Sequence, residues 1–193
     1  MQKKSQKYVC CHEAGHAVVA HLNGYKIREV RISFWSDAPF SEPAGESYVL
    51  YEPESWTCEA CSSHIANRHD AELLATLADS CPTCKEEKFR FIERCLAGPV
   101  STESLEPCEH DVRDGEFDRA QVGQIYPTRS EGREQAFALG FDRVRVRIRD
   151  VADVICMLRD ELLRNGMRMS GEEARRFITA ALASHEKGEA TDE

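Results

Sequence analysis

The sequence predicts one mainly helical α+β domain, and two periodic patterns carry most of that prediction. Apolar side chains and histidines recur at helical spacing over residues 9–20, and Asn23-Gly24 is a typical helix stop signal. Over residues 141–162, apolar residues step alternately by three and four, which indicates a helix rather than a strand. With 193 residues and 41% hydrophobic composition, the chain can bury one core, so we expect a single domain over residues 1–193.

The second half of the chain is expected to be helical throughout. The apolar seam over residues 141–162 predicts one continuous helix that ends at Asn165-Gly166. The stretch Ser170 to Glu173 has the pattern of a capping box and predicts a final helix. That last helix should bury Phe177, Ile178 and Leu182.

Charge and hydropathy exclude several classes of partner. The formal net charge of −9 disfavours both nucleic acid and anionic membrane surfaces, which select basic patches. No apolar run is long enough to cross a bilayer, and the N-terminus lacks the apolar core of a signal peptide. We therefore expect a soluble, cytoplasmic protein.

The segment His12-Glu13-Ala14-Gly15-His16 has the spacing of a catalytic metal site. On a helix His12 and His16 lie one turn apart on the same face, so both imidazoles can reach one zinc ion. Glu13 can act as general base on zinc-bound water, whose pKa the ion lowers towards about 7. Gly15 costs about 1 kcal/mol of helix stability relative to alanine, which suggests close approach of another segment or of substrate. The alternative is a chance pattern on an amphipathic helix.

The third zinc ligand lies outside this motif. A metzincin would have glycine at position 19 and histidine at position 22, where this chain has Val19 and Leu22. His21 lies off the stripe defined by the other two histidines and is expected on the helix surface.

Two Cys-x-x-Cys pairs predict a second, structural zinc site. The pairs Cys58-x-x-Cys61 and Cys81-x-x-Cys84 are separated by a span typical of four-cysteine sites. Residues 57–88 would form a zinc-binding insertion that contains a short helix and either gates the active site or docks a partner. Unligated thiols and a redox pair are the alternatives. His64 and His69 could replace a cysteine but lack special spacing, and the other cysteines are expected to be small buried residues: Cys10, Cys11, Cys95, Cys108 and Cys156.

The motif His12 to Ala17 resembles that of the FtsH-type (M41 family) zinc peptidases. Further segments resemble that family in the same order and cover most of the chain, with one insertion: 27–32 and 45–50 as paired strands, 96–103 as a small-residue helix, 115–120 as the segment with the third ligand, and 170–176 as the last short helix. The resemblance implies a helical domain with a short β-hairpin, whose exposed edge strand pairs with a peptide substrate.

The resemblance also implies that Asp118 is the third zinc ligand. Asp118 can open a helix, which would orient its carboxylate, whereas its competitors His110, Asp111 and Asp114 suit a polar loop. Glu103 corresponds to an acidic residue of the second shell or the substrate side.

Pro99 and Thr102 depart from the family pattern near Glu103. The family usually has arginine at the first of these positions and an acid at the second.

Together these features predict a zinc metalloendopeptidase that cuts unfolded or flexible polypeptides. The chain contains no Gly-x-x-x-x-Gly-Lys-Ser/Thr motif, so we expect ATP-independent cleavage or help from a separate unfoldase. The family forms rings, and part of the apolar seam could serve a homo-oligomer. The rival hypotheses are a non-catalytic zinc module that binds a protein partner, and a hydrolase of a small amide.

Overall fold

The computed structural model describes residues 5–32, 47–109, 115–126 and 131–189. Its first half comprises helix α1 (Gln6–Leu22), strands β1 (Ile27–Ile32), β2 (Ser47–Tyr51), β3 (Trp56–Thr57) and β4 (His64–Ile65), and the short helix α2 (Ala71–Ala75). The second half comprises α3 (Pro82–Leu105), α4 (Glu116–Ile125), α5 (Glu131–Asp150), α6 (Ala152–Arg164), strand β5 (Arg168–Ser170) and α7 (Gly171–Glu189). This architecture confirms the predicted α+β class with mainly helical content.

Helix α1 lies at the centre of the core because small or apolar side chains surround most of it. Ser5 caps its N-terminus by accepting a hydrogen bond from the amide of Tyr8 at 3.1 Å, and it ends at the predicted stop, with Asn23 as C-cap. Its residues from Ala17 to Ala20 have no exposed surface. A helix that is apolar on all sides is buried on all sides, and α1 accordingly contacts α3, α6, α7 and the sheet.

The sheet has three antiparallel strands in the order β2-β1-β5. The β1–β2 pair matches the hairpin implied by the family resemblance, within the residues that the structure describes. Strand β5 was not predicted, because three residues are too short to show alternation. Two consecutive left-handed residues, Gly166 and Met167, turn the chain from α6 into β5. Strand β1 is therefore central, and β2 is an edge of the described sheet.

The prediction of one helix over residues 141–162 is wrong in one respect. The chain forms two helices, α5 and α6, which are separated at Val151, where φ is −123° and ψ is 21°. The apolar seam nevertheless continues across the break, since Val144, Ile148, Ile155 and Leu158 are all almost completely buried. The seam reports which side chains face the core, and that pattern survives a single non-helical residue.

The capping box and the end of the seam lie where the sequence predicts them. Glu173 accepts hydrogen bonds from the amide and hydroxyl of Ser170, and Ser170 Oγ accepts from the amide of Glu173 at 3.3 Å. Helix α7 follows at once, with Ile178 fully buried. Phe177 and Leu182 are partly buried against the core.

The cysteine-containing insertion is a small unit beside α3. Strands β3 and β4 pair as a two-stranded hairpin, and α2 follows where the apolar pattern indicates a short helix. The second cysteine pair lies at the N-terminus of α3, which continues to Leu105. Residue 88 therefore falls inside a helix rather than at an element boundary. None of the described helices combines the length and apolar character that a bilayer crossing requires.

Replacing Leu158 with alanine should lower the free energy of unfolding by about 2–5 kcal/mol, because this fully buried side chain leaves a cavity between α6 and the core. Denaturant titration measures the change. The matched control is the neighbouring Met157→Ala, whose side chain is exposed and should change stability by less than about 0.5 kcal/mol. Equal effects of the two substitutions would contradict the assigned orientation of α6.

Candidate metal centres

Helices α1 and α4 bring His12, His16 and Asp118 together. The Nε2 atoms of His12 and His16 are 3.1 Å apart. Asp118 Oδ2 lies 3.3 Å from Nε2 of His12, and Asp118 Oδ1 lies 3.5 Å from Nε2 of His16. The three predicted ligands therefore converge on one point from helices that are distant in sequence.

These separations fit a tetrahedral metal ion. Ligand atoms bonded to zinc at about 2.0–2.2 Å lie roughly 3.3–3.6 Å from one another. The three measured distances, 3.1, 3.3 and 3.5 Å, are close to those edges. The group can hold a metal ion and leaves a coordination position that no described protein ligand fills.

A hydrogen bond shows that Nδ1 of His16 is protonated. His16 Nδ1 lies 2.7 Å from the backbone oxygen of Arg94 on α3, and a carbonyl oxygen only accepts hydrogen bonds. Nδ1 therefore carries a hydrogen. Without a metal, burial lowers the pKa of His16, but the carboxylate of Asp118 outweighs burial and raises it to about 9. A metal must displace this proton from Nε2, after which the bond to Arg94 holds the ring in the ligating orientation.

Asp118 is oriented by the start of α4. The helix begins after Gly115, whose φ of +76° is left-handed. A Cβ on this glycine would lie 2.9 Å from Cβ of Pro99, inside van der Waals contact. Although burial raises the pKa of Asp118, the two histidines hold it well below its usual range, so the carboxylate is ionised and ready to ligate.

The two histidines pack directly on the backbone of α3. A Cβ on Gly98 would lie 2.6 Å from Nε2 of His12 and closer still to Nε2 of His16. A Cβ on Gly15 would lie 2.8 Å from the backbone oxygen of Ala97. The close approach suggested by Gly15 is thus confirmed, and its partner is α3.

Glu13 faces the same cavity as the metal ligands. It is only 3% exposed and lines a cavity of about 580 Å³ together with the three ligands. Strand β2, α3, α4 with its preceding glycine and the loop before α2 supply the remaining walls: Ser47, Tyr48, Val49, Tyr51, His69, Arg94, Cys95, Gly115, Phe117 and Gln121. Phe117, which is 75% exposed, stands at the rim beside Asp118.

The structure does not place Glu103 at this cavity. Its exposed carboxylate points towards α5, where Oε1 accepts a hydrogen bond from Arg145 Nη2 at 3.3 Å. In the described contacts Glu103 touches neither the predicted ligands nor Glu13, so its assignment as a second-shell or substrate-side acid stays a prediction. The competing ligands His110, Asp111 and Asp114 lie outside the described residues.

The four cysteines of the insertion form a second cluster that can hold a metal ion. Cys58 Sγ lies 3.6 Å from Cys81 Sγ, and Cys61 Sγ lies 3.4 Å from Cys84 Sγ. Thiolates bonded to zinc at about 2.3 Å would stand roughly 3.8 Å apart, so a small expansion suffices.

His64 and His69 do not join this cluster. His64 Nδ1 lies 2.9 Å from the hydroxyl of Thr57, and His69 instead contacts Arg94 and the backbone of Glu52. The structure therefore favours the four-cysteine set over a mixed one.

The remaining cysteines only partly match their expected burial. Cys10, Cys11 and Cys95 are buried, and burial raises the pKa of each thiol. Cys108 is exposed and Cys156 is half-buried, contrary to expectation.

The insertion contacts the ligand-bearing helices. Helix α2 packs against both α4, which carries Asp118, and α3. Sequence patterns did not assign four of the lining residues to this cavity: Tyr51, His69, Arg94 and Gln121. The one available signal was Arg94 itself, a charged residue among the apolar Phe91, Ile92, Cys95 and Leu96 and one helical turn before Gly98.

No protein-family model matches the chain, and no curated protein matches it with statistical significance. The similarity to the M41 family therefore remains a resemblance of motifs and their order.

Replacing Gly98 with alanine should weaken metal binding by His12 and His16 about tenfold or more, because the new methyl group would occupy the space of both imidazoles. Metal competition with a chelator measures the change. The control is Gly24→Ala. No atom lies within 4 Å of the added Cβ, and the only strain comes from the left-handed φ of +74° at this position. The control should cost about 1 kcal/mol of stability and leave metal affinity intact.

Replacing Cys84 with serine should reduce the metal content of the full chain from two ions to one, because the substitution removes one buried thiolate from the four-cysteine cluster. Elemental analysis of purified protein gives the stoichiometry. The exposed Cys108, changed to serine, serves as the control and should retain both ions. Unchanged metal content in Cys84→Ser would argue against a site at the four cysteines.

Proposed function

We propose that this protein is a zinc metalloendopeptidase that hydrolyses unfolded or flexible polypeptides without ATP. The observation that carries the proposal is the convergence of His12, His16 and Asp118 beside the buried Glu13, in a cavity bordered by a strand edge. Each component has a role in peptide hydrolysis.

The donor set suits zinc at the first site. Two neutral imidazoles and one carboxylate are a common set for catalytic zinc, because they leave a position for water or substrate. A divalent ion held by His12, His16 and Asp118 would supply Lewis acidity for a water molecule and a peptide carbonyl. Arg94 and Gly98 of α3 keep His16 and His12 in position, through the hydrogen bond to Nδ1 and through backbone contact.

Glu13 is the general base. It follows His12 on α1 and is one turn from His16, so the same helix orients the base and both ligands. Its carboxylate faces the cavity and takes the proton from the attacking water. A metal-binding scaffold without activity would need the ligands but would have no use for a buried carboxylate beside them.

Strand β2 supplies a surface for an extended peptide. It pairs with β1 on one side, and the described sheet leaves its other edge free. Four residues of β2 line the cavity: Ser47, Tyr48, Val49 and Tyr51. Backbone groups at a strand edge bind any extended sequence, which suits a peptidase for unfolded chains.

The four-cysteine cluster has the character of a structural zinc site. A closed set of thiolates stabilises small folds, and residues 57–88 otherwise contain only short elements, a two-stranded hairpin and α2, before the first turns of α3. Because α2 packs against α4, metal at the cysteines supports the helix that carries Asp118. This contact favours shaping of the active site over docking of a partner.

The substitution Glu13→Gln should abolish cleavage of unfolded casein in the absence of ATP, with a loss of at least about 100-fold, while both metal ions are retained. Glutamine keeps the shape of the side chain but cannot accept the proton. Gel analysis follows the cleavage, and elemental analysis follows the metal. Glu103→Gln is the matched control, because that carboxylate is exposed and turned towards α5, and it should cleave like wild type.

Cleavage by the Glu13→Gln variant at the wild-type rate would disprove the role of Glu13. A wild-type protein that holds zinc at His12 and His16 but cuts no polypeptide would instead support the binding-module hypothesis.

A further inference from the structure

Arg94 places a buried positive charge at the wall of the cavity without an acidic partner. The residue is only 5% exposed, and its guanidinium lies on the cavity side of α3. Among the described residues, no carboxylate oxygen lies within 4.0 Å of the side-chain nitrogen atoms of Arg94. This holds also for Glu13 and Asp118, which line the same cavity. An uncompensated buried charge is costly, so its presence calls for an explanation.

The other buried guanidinium group in the described part of the chain does have an acidic partner. Arg68 is similarly buried, and its Nη2 lies 2.7 Å from Oε1 of the buried Glu87. The fully buried Glu93 in turn accepts a hydrogen bond from Arg143 Nε at 2.6 Å. Arg94 is the exception in the described part of the chain, and it is also the arginine that lines the cavity.

His69 orients Arg94 but does not neutralise it. Arg94 Nη1 lies 3.1 Å from His69 Nδ1, and His69 Nε2 lies 3.0 Å from the backbone oxygen of Glu52. Arginine only donates and a carbonyl only accepts, so Nδ1 is unprotonated and Nε2 carries the hydrogen. Burial, followed by the charge of Arg94, lowers the pKa of His69 to about 4, which keeps the ring neutral.

Aromatic rings hold the plane of the guanidinium. Its central carbon lies 4.5 Å from the centre of the Tyr51 ring and 4.4 Å from that of Phe91, and Tyr51 stacks on His69 in turn. These faces supply cation–π attraction but no hydrogen-bond acceptor. The remaining polar contact is a weak one, from Nη2 to Cys95 Sγ at 3.9 Å. Of the five N–H groups of an arginine, at least three therefore lack an acceptor in the described protein.

We infer that Arg94, held by His69 and Tyr51, is a binding site for a carboxylate of the polypeptide substrate. A planar guanidinium pairs with a carboxylate through two parallel hydrogen bonds, and no other single side chain matches that geometry as well. The inference rests on the peptidase function proposed above. The carboxylate belongs either to an Asp or Glu side chain or to the C-terminus of the substrate, since both offer the same chemistry.

The experiment measures peptide binding rather than cleavage. The zinc-loaded full-length Glu13→Gln protein is titrated with three fluorescent peptides of one neutral sequence. The first peptide is amidated. The second is an amidated series in which Glu replaces Gln at one position at a time. The third has a free C-terminal carboxylate. We expect at least one carboxylate peptide to bind about ten- to a hundredfold more tightly than the neutral one. Preference for the second identifies an acidic side chain, and preference for the third identifies the C-terminus.

Substitutions then assign the preference to Arg94. Adding Arg94→Gln should remove the preference without changing the affinity for the neutral peptide, and Arg94→Lys should retain part of it, because lysine keeps the charge but loses the planar pair. Arg90→Gln is the control, since Arg90 lies one turn earlier on α3, is exposed and does not line the cavity. Thermal denaturation and metal content show whether each variant remains folded.

Equal affinity for all three peptides in the protein with Arg94 intact would overturn the inference, whatever happens to the folding of the variants. A preference that survives in a folded Arg94→Gln protein would also overturn it. The peptidase proposal is judged separately. If wild-type protein cuts casein but shows no preference for carboxylate peptides, the peptidase proposal stands and the carboxylate site is disproved. If it shows the preference but cuts no polypeptide, the binding site stands and the peptidase proposal is disproved.

Discussion

The contact between α1 and α3 is the constraint on which the candidate active site depends. Glycines on both helices, Gly15 and Gly98, allow the two backbones to approach so closely that a methyl group on either would overlap its neighbour. This proximity lets the carbonyl of Arg94 reach His16 and places the imidazoles of α1 on the backbone of α3. Glycine lowers the stability of both helices, but it allows a close packing of the candidate metal ligands that a larger residue would prevent.

Helix α3 connects the two metal centres. Its N-terminus carries Cys81 and Cys84, its middle supports His16, and Pro99 packs against Gly115 at the start of the helix that bears Asp118. The insertion closes the arrangement, because α2 contacts α4. The two groups of candidate ligands are therefore linked through one continuous helix.

The charged side chains that line the cavity have different surroundings. Asp118 and Glu13 lie beside a site for a cation, whereas the guanidinium of Arg94 is fixed by neutral groups on every side that the structure describes. Elsewhere in the core, buried charges such as Arg68 and Glu87 neutralise each other. This difference between a paired and an unpaired buried charge is the basis for the proposal that Arg94 binds a carboxylate.

Local patterns were sufficient to predict helix α1, the apolar seam of α5 and α6, helix α7 and six candidate ligands, because each depends on spacing along the chain, whereas the β1–β2 hairpin came from the family resemblance. Residues one turn apart share a helix face, so His12 and His16 could be paired from the sequence, and Cys-x-x-Cys spacing indicated a thiolate site. Asp118 came from a family resemblance. The break at Val151 and strand β5 escaped prediction because the seam continues through the first and the second has only three residues.

The sequence by itself determined which residue types could bind metal and placed Glu13 on the same helix as the two histidines. The tertiary structure decided which of these groups meet: it joined Asp118 to the histidines, turned Glu103 away towards Arg145, and enclosed Arg94 between Tyr51 and His69. The physical reason is that periodicity gives a residue's face on its own element, whereas the neighbour on that face depends on how elements pack. Those contacts link positions that are far apart in the chain and leave no periodic trace in it.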